Sequence, residues 1–97
     1  MNVRFTGDPK KDKANQRKHG FSFKQGEQAF NDPFARFAED CEDPNGEMTY
    51  HAIGRIESQE LVLVVYVDRS TDEQEIIHIV SVRKAEDYEQ RAYADQF

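Results

Sequence analysis

LVLVVYV, at residues 61–67, is the longest apolar run in a chain of 97 residues. It is about a third of the length that a membrane-spanning helix needs, and its β-branched residues favour a buried strand covered on both faces. Shorter patterns of the same kind at residues 34–39, 48–56 and 76–83 predict three more strands. Because short polar turns join the four strands, the sequence indicates an antiparallel meander.

Helical patterns precede and follow this meander. Asp8 and Pro9 form a helix-start signal, and Ser22 begins a capping box. The predicted helices span residues 9–19, 22–31 and 85–97. An additional short strand at residues 3–5 is left open as an alternative. The sequence therefore predicts one α+β domain over residues 1–97, with two N-terminal helices, a four-stranded antiparallel sheet and a C-terminal helix.

The charges divide the chain into two unlike parts. Residues 1–25 carry seven basic and two acidic side chains, whereas the remainder carries six basic and seventeen acidic ones, within a formal net charge of −6. A basic segment on an acidic chain predicts an anionic ligand at the N-terminal end. The alternative is a solvated basic helix that offsets an acidic body. Cys41 is the single cysteine and no signal peptide is recognised, so we expect a cytoplasmic protein.

The first predicted helix has little apolar surface. Ala14 is its single apolar residue, so the helix has no hydrophobic stripe with which to dock onto a core. Polar residues at i, i+4, i+7 and i+8 share one of its faces. These residues are Lys11, Asn15, Lys18 and His19. A helix of this composition is suited to a surface role, such as binding phosphate.

The last predicted strand supplies a second polar group. Ser81 and Arg83 are two residues apart and share a face, whereas His78 points to the opposite face unless a β-bulge intervenes. Metal-free RNA cleavage uses the 2′-OH as nucleophile and needs a base, an acid and cations for the phosphorane charge. Arg83 suits the phosphate because its planar fork binds two oxygens, although a structural salt bridge is an equally good interpretation. For His51, simple solvation is the stronger interpretation.

Short motifs occur in an order that is similar to that of BrnT toxins. The first part of the pattern is Asp8-Pro9-x-Lys11, Asn15, Lys18-His19-Gly20, Phe23 and Phe30-x-Asp32-Pro33. The second part is Ala52-Ile53-Gly54, the strand at 61–65, Ile79-x-Ser81-x-Arg83-x-Ala85, Glu89 and Tyr93. The chain thus resembles the BrnT family over nearly its whole length. The resemblance implies a RelE-like α+β fold and a metal-independent endoribonuclease toxin of a type II toxin–antitoxin system.

The resemblance also implies partners and residue roles. The expected protein partner is a BrnA-like antitoxin with a ribbon-helix-helix domain, through which alone the complex contacts DNA. The residues that the resemblance ties to catalysis are Arg83, Ser81, His19 and Lys18. We expect Lys11 and Asn15, which match the family pattern, and His78, which does not, to bind RNA. Glu89 and Tyr93 also match, and we expect them to pack or orient; no zinc-ligand spacing occurs, so neither metal nor cofactor is expected.

Four positions depart from the family pattern. Gly7 stands where the family usually has tryptophan, Thr49 and His78 where it has arginine, and Tyr66 where it has histidine. Each change removes a stacking ring, a fixed cation or a titratable group. Two alternatives therefore stay open. One is a catalytically weakened module that binds an antitoxin or co-repressor, and the other is a single-stranded nucleic-acid binder that does not cleave.

Overall fold

Five strands and three helices make up the part of the chain that the computed structural model describes, residues 3–97. The strands are β1 Val3–Gly7, β2 Arg36–Glu42, β3 Met48–Arg55, β4 Leu61–Asp68 and β5 Glu75–Lys84. The helices are α1 Pro9–His19, α2 Phe23–Glu27 and α3 Asp87–Ala94, and a 3-10 turn, Gln28–Asn31, follows α2. No helix in residues 3–97 is long and apolar enough to span a bilayer.

The sheet is mixed, with the strand order β1-β5-β4-β3-β2. β2 to β5 form the antiparallel meander that the sequence predicts. β1 is a fifth strand that pairs parallel to β5, with Val3 beside Glu75 and Gly7 beside Ile79. The predicted four-stranded antiparallel sheet is therefore corrected to a five-stranded mixed one. Local patterns do not reveal this pairing, because the two strands lie about seventy residues apart and only tertiary contacts select the partner.

Several element boundaries also differ from the prediction. The second helix is α-helical only to residue 27, β2 spans 36–42 rather than 34–39, and α3 ends at residue 94. The 3-10 turn brings Ala29 against β3, where a Cβ on Gly54 would lie 2.6 Å from the Ala29 carbonyl oxygen. β2 continues further because the Thr49 hydroxyl donates to the Cys41 carbonyl at 2.6 Å and accepts from the Cys41 amide at 3.2 Å, which holds a β-bulge there.

One extra residue in β5 sets the directions of its side chains. Val65 lies opposite Ser81 and Tyr66 lies opposite Ile79, so Val80 has no partner on β4 and forms a β-bulge. We call the side of the sheet that α1 and α2 cover the helix face, and the other side the open face. Because the bulge shifts the alternation by one residue, the open face carries three polar side chains of β5. They are His78, Ser81 and Arg83.

The main core fills the helix face. Its buried residues are Phe21, Phe23, Ala29, Ala52, Ile56, Val62, Val64, Tyr66, Ile77, Ile79 and Val82. Each large apolar side chain that is fully buried contributes about 1.5–3 kcal/mol. A smaller buried cluster docks α3 against one end of the open face, and it consists of Ile53, Leu63, Ala85 and Tyr93. The rest of the open face is left uncovered by helices.

Asn15 closes the edge of β5 beyond the end of β1. Its side chain is buried, with the residue 7% exposed. Its amide nitrogen donates to the carbonyl oxygens of Val82 and Phe21 at 2.8 Å each, and its oxygen accepts from the Val82 amide at 3.0 Å. A side-chain amide thus takes the place of a neighbouring strand and anchors α1, which otherwise has almost no apolar contact to offer.

Asp32 ties three segments together. One carboxylate oxygen accepts from the Phe34 amide at 2.9 Å, and the other accepts from the Arg55 amide at 2.8 Å and the Tyr93 hydroxyl at 2.7 Å. Burial raises the pKa of Asp32, but these hydrogen bonds outweigh burial and hold the pKa below its ordinary value. The charged carboxylate therefore stabilises the junction of β2, β3 and α3.

Replacing Asn15 by alanine is expected to lower the free energy of unfolding by about 2–4 kcal/mol, since each buried polar group left without a partner costs about 1–3 kcal/mol. Urea denaturation followed by circular dichroism measures the change. Lys13→Ala, on an exposed position of the same helix, is the matched control and should stay within about 0.5 kcal/mol of the parent chain. Equal stabilities of the two variants would contradict the role of Asn15.

Asp32→Asn should be less stable than the parent chain at pH 7 by about 1–2 kcal/mol. Because the folded-state pKa of Asp32 is depressed, its contribution is present above the unfolded-state pKa and is lost as the pH falls through the folded-state pKa. The variant should therefore lose less stability than the parent between pH 7 and acidic pH. Asp72→Asn, in an exposed turn, serves as the control and should follow the parent curve.

Candidate active site on the open face

A cleft of about 310 Å³ lies between the open face and α3. Its lining residues are Asp40, His51, Ile53, Leu63, Val65, Arg83, Tyr88, Glu89 and Ala92. Apolar side chains of the central strands form its floor, and titratable groups surround them, as in many small-ligand sites. A more voluminous concavity of about 600 Å³ lies at residues 68–75, but the charged side chains of its lining are all acidic and would repel a phosphate.

Arg83 is held in the cleft by Glu89. Its Nη1 donates to Glu89 Oε1 at 2.8 Å and to the Lys84 carbonyl at 3.1 Å, and its Nη2 donates to Glu89 Oε2 at 2.9 Å. A guanidinium has five N–H donors, so Nε–H and the second Nη2–H have no partner within residues 3–97. These two donors lie side by side on one edge of the guanidinium, which is the geometry that binds two oxygens of one phosphate.

The Arg83–Glu89 pair is charged at physiological pH. The hydrogen bonds to Glu89 raise the pKa of Arg83. Burial raises the pKa of Glu89, which is 6% exposed, but hydrogen bonds from Arg83 and from the Glu86 amide outweigh burial and lower it. The Glu86 bond, at 2.8 Å, belongs to the capping box of α3. One carboxylate therefore fixes both the arginine and the start of the helix.

His51 faces Arg83 across the floor of the cleft. It lies on β3 in register with Val65 of β4, which in turn lies opposite Ser81 of β5. Its Nδ1 is 4.0 Å from the Asp40 carboxylate, and about a quarter of its side chain is exposed. Two strand spacings, about 10 Å, separate the backbones of His51 and Ser81. This distance leaves room for a bound group that contacts side chains of both β3 and β5.

His78 lies on the same face, further along β5. Its Nδ1 is 2.8 Å from the Thr6 hydroxyl of β1. Partial burial and the nearby cations Arg69 and Lys11 lower the pKa of His78, so its ring is mostly neutral at pH 7. Lys11 is thus close enough to act on His78 electrostatically, although the two come from separate elements. The bulge at Val80 is the reason that His78 shares a face with Arg83.

The remaining predicted residues of α1 lie beside β5 rather than in the cleft. Asn15 uses its amide to bind the backbone of β5 and is buried. Lys18 is exposed and His19 half-buried in the last turn of the helix. Within residues 3–97 neither side chain forms a hydrogen bond or ion pair. No three His, Cys, Asp or Glu side chains in that range are grouped as metal ligands are.

The four family departures fall on different sides of the sheet. Gly7 and Tyr66 lie on the helix face, where a Cβ on Gly7 would lie 2.6 Å from the Phe23 ring and where Tyr66 packs in the main core. Neither position lines the cleft. Thr49 is buried and bonds the β2 bulge, and His78 is on the open face. The first two departures therefore alter core packing rather than the chemistry of the cleft.

Sequence reasoning missed three residues of the cleft as site members. They are Asp40, His51 and Tyr88. The alternation of β3 gives a usable signal for His51, because it shares a face with the buried Ile53 and so lies on a covered part of the sheet. The bulge shifts the register near Asp40, and Tyr88 is in line with Ala85 and Ala92 on the last helix, which predicts packing rather than a site residue.

A family model and a solved structure are similar to this chain. The family model for the ribonuclease toxin BrnT of type II toxin–antitoxin systems matches residues 8–89. The fold is similar to the crystal structure of the Brucella abortus ribonuclease toxin BrnT, with a TM-score of 0.67 and 21% identity over 88% of this chain and 99% of that chain. No curated protein sequence matches. The chain therefore belongs to the BrnT family of ribonuclease toxins of type II toxin–antitoxin systems.

Proposed function

We propose that this chain is a metal-independent endoribonuclease whose reaction takes place in the cleft between Arg83 and His51. The observation that carries the proposal is the state of Arg83. Its guanidinium is fixed by Glu89, yet among residues 3–97 one edge with two parallel donors has no partner. Electrostatic stabilisation of a phosphorane requires a cation that is already held in position, so that it need not rearrange when the negative charge develops.

The proposed reaction is a transesterification within the RNA. The ribose 2′-oxygen forms a bond to phosphorus while the bond from phosphorus to the 5′-oxygen breaks, which leaves a 2′,3′-cyclic phosphate and a 5′-hydroxyl end. A base takes the proton of the 2′-OH, and an acid gives a proton to the departing 5′-oxygen. Arg83 would hold the non-bridging oxygens, on which negative charge increases.

His51 is our candidate for one of the two proton transfers. It lines the cleft opposite Arg83, and Asp40 at 4.0 Å can orient the ring. Ser81 lies on the open face two residues before Arg83, outside the lining of the cleft, and can donate a hydrogen bond to a phosphate that extends beyond the cleft. Glu89 is a positioning residue in this scheme, because it acts on the substrate only through Arg83.

The basic residues of α1 and β5 are proposed to bind the RNA outside the cleft. His78 and Lys11 act on one another electrostatically at one end of β5, and Lys18 and His19 lie in the last turn of α1. An RNA strand that crosses the open face would contact His78 and come close to Lys11. Asn15 would support this binding indirectly, since it anchors the helix that carries them.

Membership of a type II system implies an antitoxin partner. We propose that the partner is a BrnA-like protein with a ribbon-helix-helix domain, that the complex reaches DNA only through it, and that both act in the cytoplasm. An alternative function is a non-catalytic module that binds this partner. The acidic charge of residues 26–97 favours that alternative, because it repels RNA outside the basic segment.

Arg83→Lys should reduce the cleavage rate of a single-stranded RNA by about 10²–10³-fold, since lysine cannot present two parallel donors. The assay is gel analysis of end-labelled RNA with purified chain, and addition of a chelator should leave the rate unchanged. Arg91→Lys, an exposed arginine of α3 outside the cleft, is the matched control for the change from guanidinium to ammonium. Full activity of Arg83→Lys, or loss of activity with the chelator, would contradict the assignment.

Folding of the Arg83 variants needs its own check. Removing the cation leaves the buried Glu89 carboxylate without its counter-charge, which destabilises a protein by about 3–5 kcal/mol. The double variant Arg83→Met with Glu89→Gln removes both charges and should fold better than Arg83→Met alone. If the well-folded double variant cleaves RNA at the parent rate, Arg83 has no catalytic role.

His51→Gln should reduce the cleavage rate by about 10²–10⁴-fold, the usual contribution of a general acid or base. The variant should still bind an uncleavable 2′-O-methyl RNA with nearly the parent affinity, because the phosphate-binding edge of Arg83 is untouched. His19→Gln is the informative comparison, since the sequence resemblance ties His19 to the same task. A large loss with His19→Gln and none with His51→Gln would reverse our assignment.

A further inference from the structure

Tyr88 differs from the other exposed aromatic side chains of the described chain. The large apolar side chains that are exposed are Phe34, Phe37, Tyr88 and Phe97. Phe34 and Phe97 contact one another with ring centroids 4.9 Å apart, and Phe37 contacts Phe30 at 5.9 Å. Tyr88 is 60% exposed, and no ring contact within residues 3–97 involves it. The ring is therefore exposed enough to stack on a planar ligand, and no other aromatic ring of residues 3–97 occupies it.

Tyr88 also lines the cleft that holds Arg83. It directly precedes Glu89, whose carboxylate holds the guanidinium at 2.8 and 2.9 Å. The capping box of α3 fixes this turn of the helix, so the ring is carried on an ordered element rather than on a loop. An aromatic ring and a phosphate-binding edge thus lie next to one another at a single concave site.

The phenol keeps the site free of an additional negative charge. The carboxylates of Glu89 and Glu86 raise the pKa of Tyr88, so the hydroxyl is protonated at physiological pH. A neutral ring can approach a phosphate-bearing ligand without repulsion. Because residues 26–97 are strongly acidic, long-range attraction to RNA is weak there and recognition must depend on short-range contacts.

We propose that Tyr88 is a stacking platform for the base of the nucleotide whose phosphate Arg83 binds. This inference rests on the proposed function, from which it takes the phosphate site. The unit recognised in the cleft is then one unpaired nucleotide of single-stranded RNA, since pairing in a duplex buries the faces of the base. Every base has such a face, so stacking alone gives little preference among the four bases.

The test uses two uncleavable probes, a 2′-O-methyl RNA hexamer and the same hexamer with abasic sugars at its central positions. Fluorescence anisotropy of the labelled probes gives the dissociation constants for the purified chain. Loss of the bases should weaken binding to the parent chain by about 5- to 100-fold. Tyr88→Ala should bind both hexamers equally weakly, whereas Tyr88→Phe should stay within about twofold of the parent, because the ring provides the contact.

Phe97→Ala is the matched control, since it removes an exposed ring of α3's C-terminal side that does not line the cleft. It should leave both dissociation constants unchanged. Equal binding of the two hexamers by the parent chain, failure of the parent to bind either, or parent-like discrimination by Tyr88→Ala would each overturn the inference. A stronger binding of duplex than of single strands would overturn it as well.

The binding test separates this inference from the proposed function. A parent chain that distinguishes the hexamers through Tyr88 but leaves ordinary RNA intact would refute the endoribonuclease and support the stacking platform. A parent chain that cleaves RNA through Arg83, with an unchanged KM in Tyr88→Ala, would refute the platform alone. Where both hold, Tyr88→Ala should raise KM with a smaller effect on kcat.

Discussion

The single extra residue in β5 is the constraint on which the site depends. Without the bulge at Val80, strict alternation would turn either Ile79 or Arg83 to the wrong side of the sheet. With it, Ile77 and Ile79 before the bulge and Val82 after it enter the core, while His78, Ser81 and Arg83 reach the open face. The bulge therefore allows one strand to supply both buried apolar side chains to the core and polar side chains to the open face.

The backbone groups at the edge of β5 also need hydrogen-bond partners. β1 covers β5 only as far as Ile79, and the backbone of Val82 lies beyond it. The Asn15 side chain supplies the hydrogen bonds that a longer β1 would have made. This explains how a helix with almost no apolar residue is held on the fold, and it leaves the lysines of α1 free at the surface.

The elements with strong local patterns could be predicted from the sequence, and the features that depend on distant contacts could not. The run at residues 61–67 and the Asp8-Pro9 cap lead directly to β4 and α1. The parallel pairing of β1 is set by tertiary contacts, so no local pattern reports it. A bulge is equally hidden, because Ile79 and Val80 are both β-branched and either could fill a buried position.

The same limit applied to the candidate site. The shared face of Ser81 and Arg83 followed from their spacing, whereas the position of His78 depended on the hidden bulge. For Arg83 the sequence allowed either an ion pair or a phosphate contact. In the folded chain the guanidinium has enough donors for both, since Glu89 engages one edge and leaves another. The two interpretations are therefore compatible rather than exclusive.

The Glu89 carboxylate, which bonds both Arg83 and the start of α3, affects how readily the proposed activity could be lost by mutation. Because it bonds both the arginine and the first turn of α3, a substitution of Arg83 also weakens the docking of a helix. Under the proposed mechanism, a change that inactivates Arg83 therefore carries a folding penalty, whereas replacing His51, which faces the partly exposed Asp40 at 4.0 Å, leaves no buried charge behind. Loss of the proposed activity by gradual mutation should accordingly occur more readily at the histidine than at the arginine.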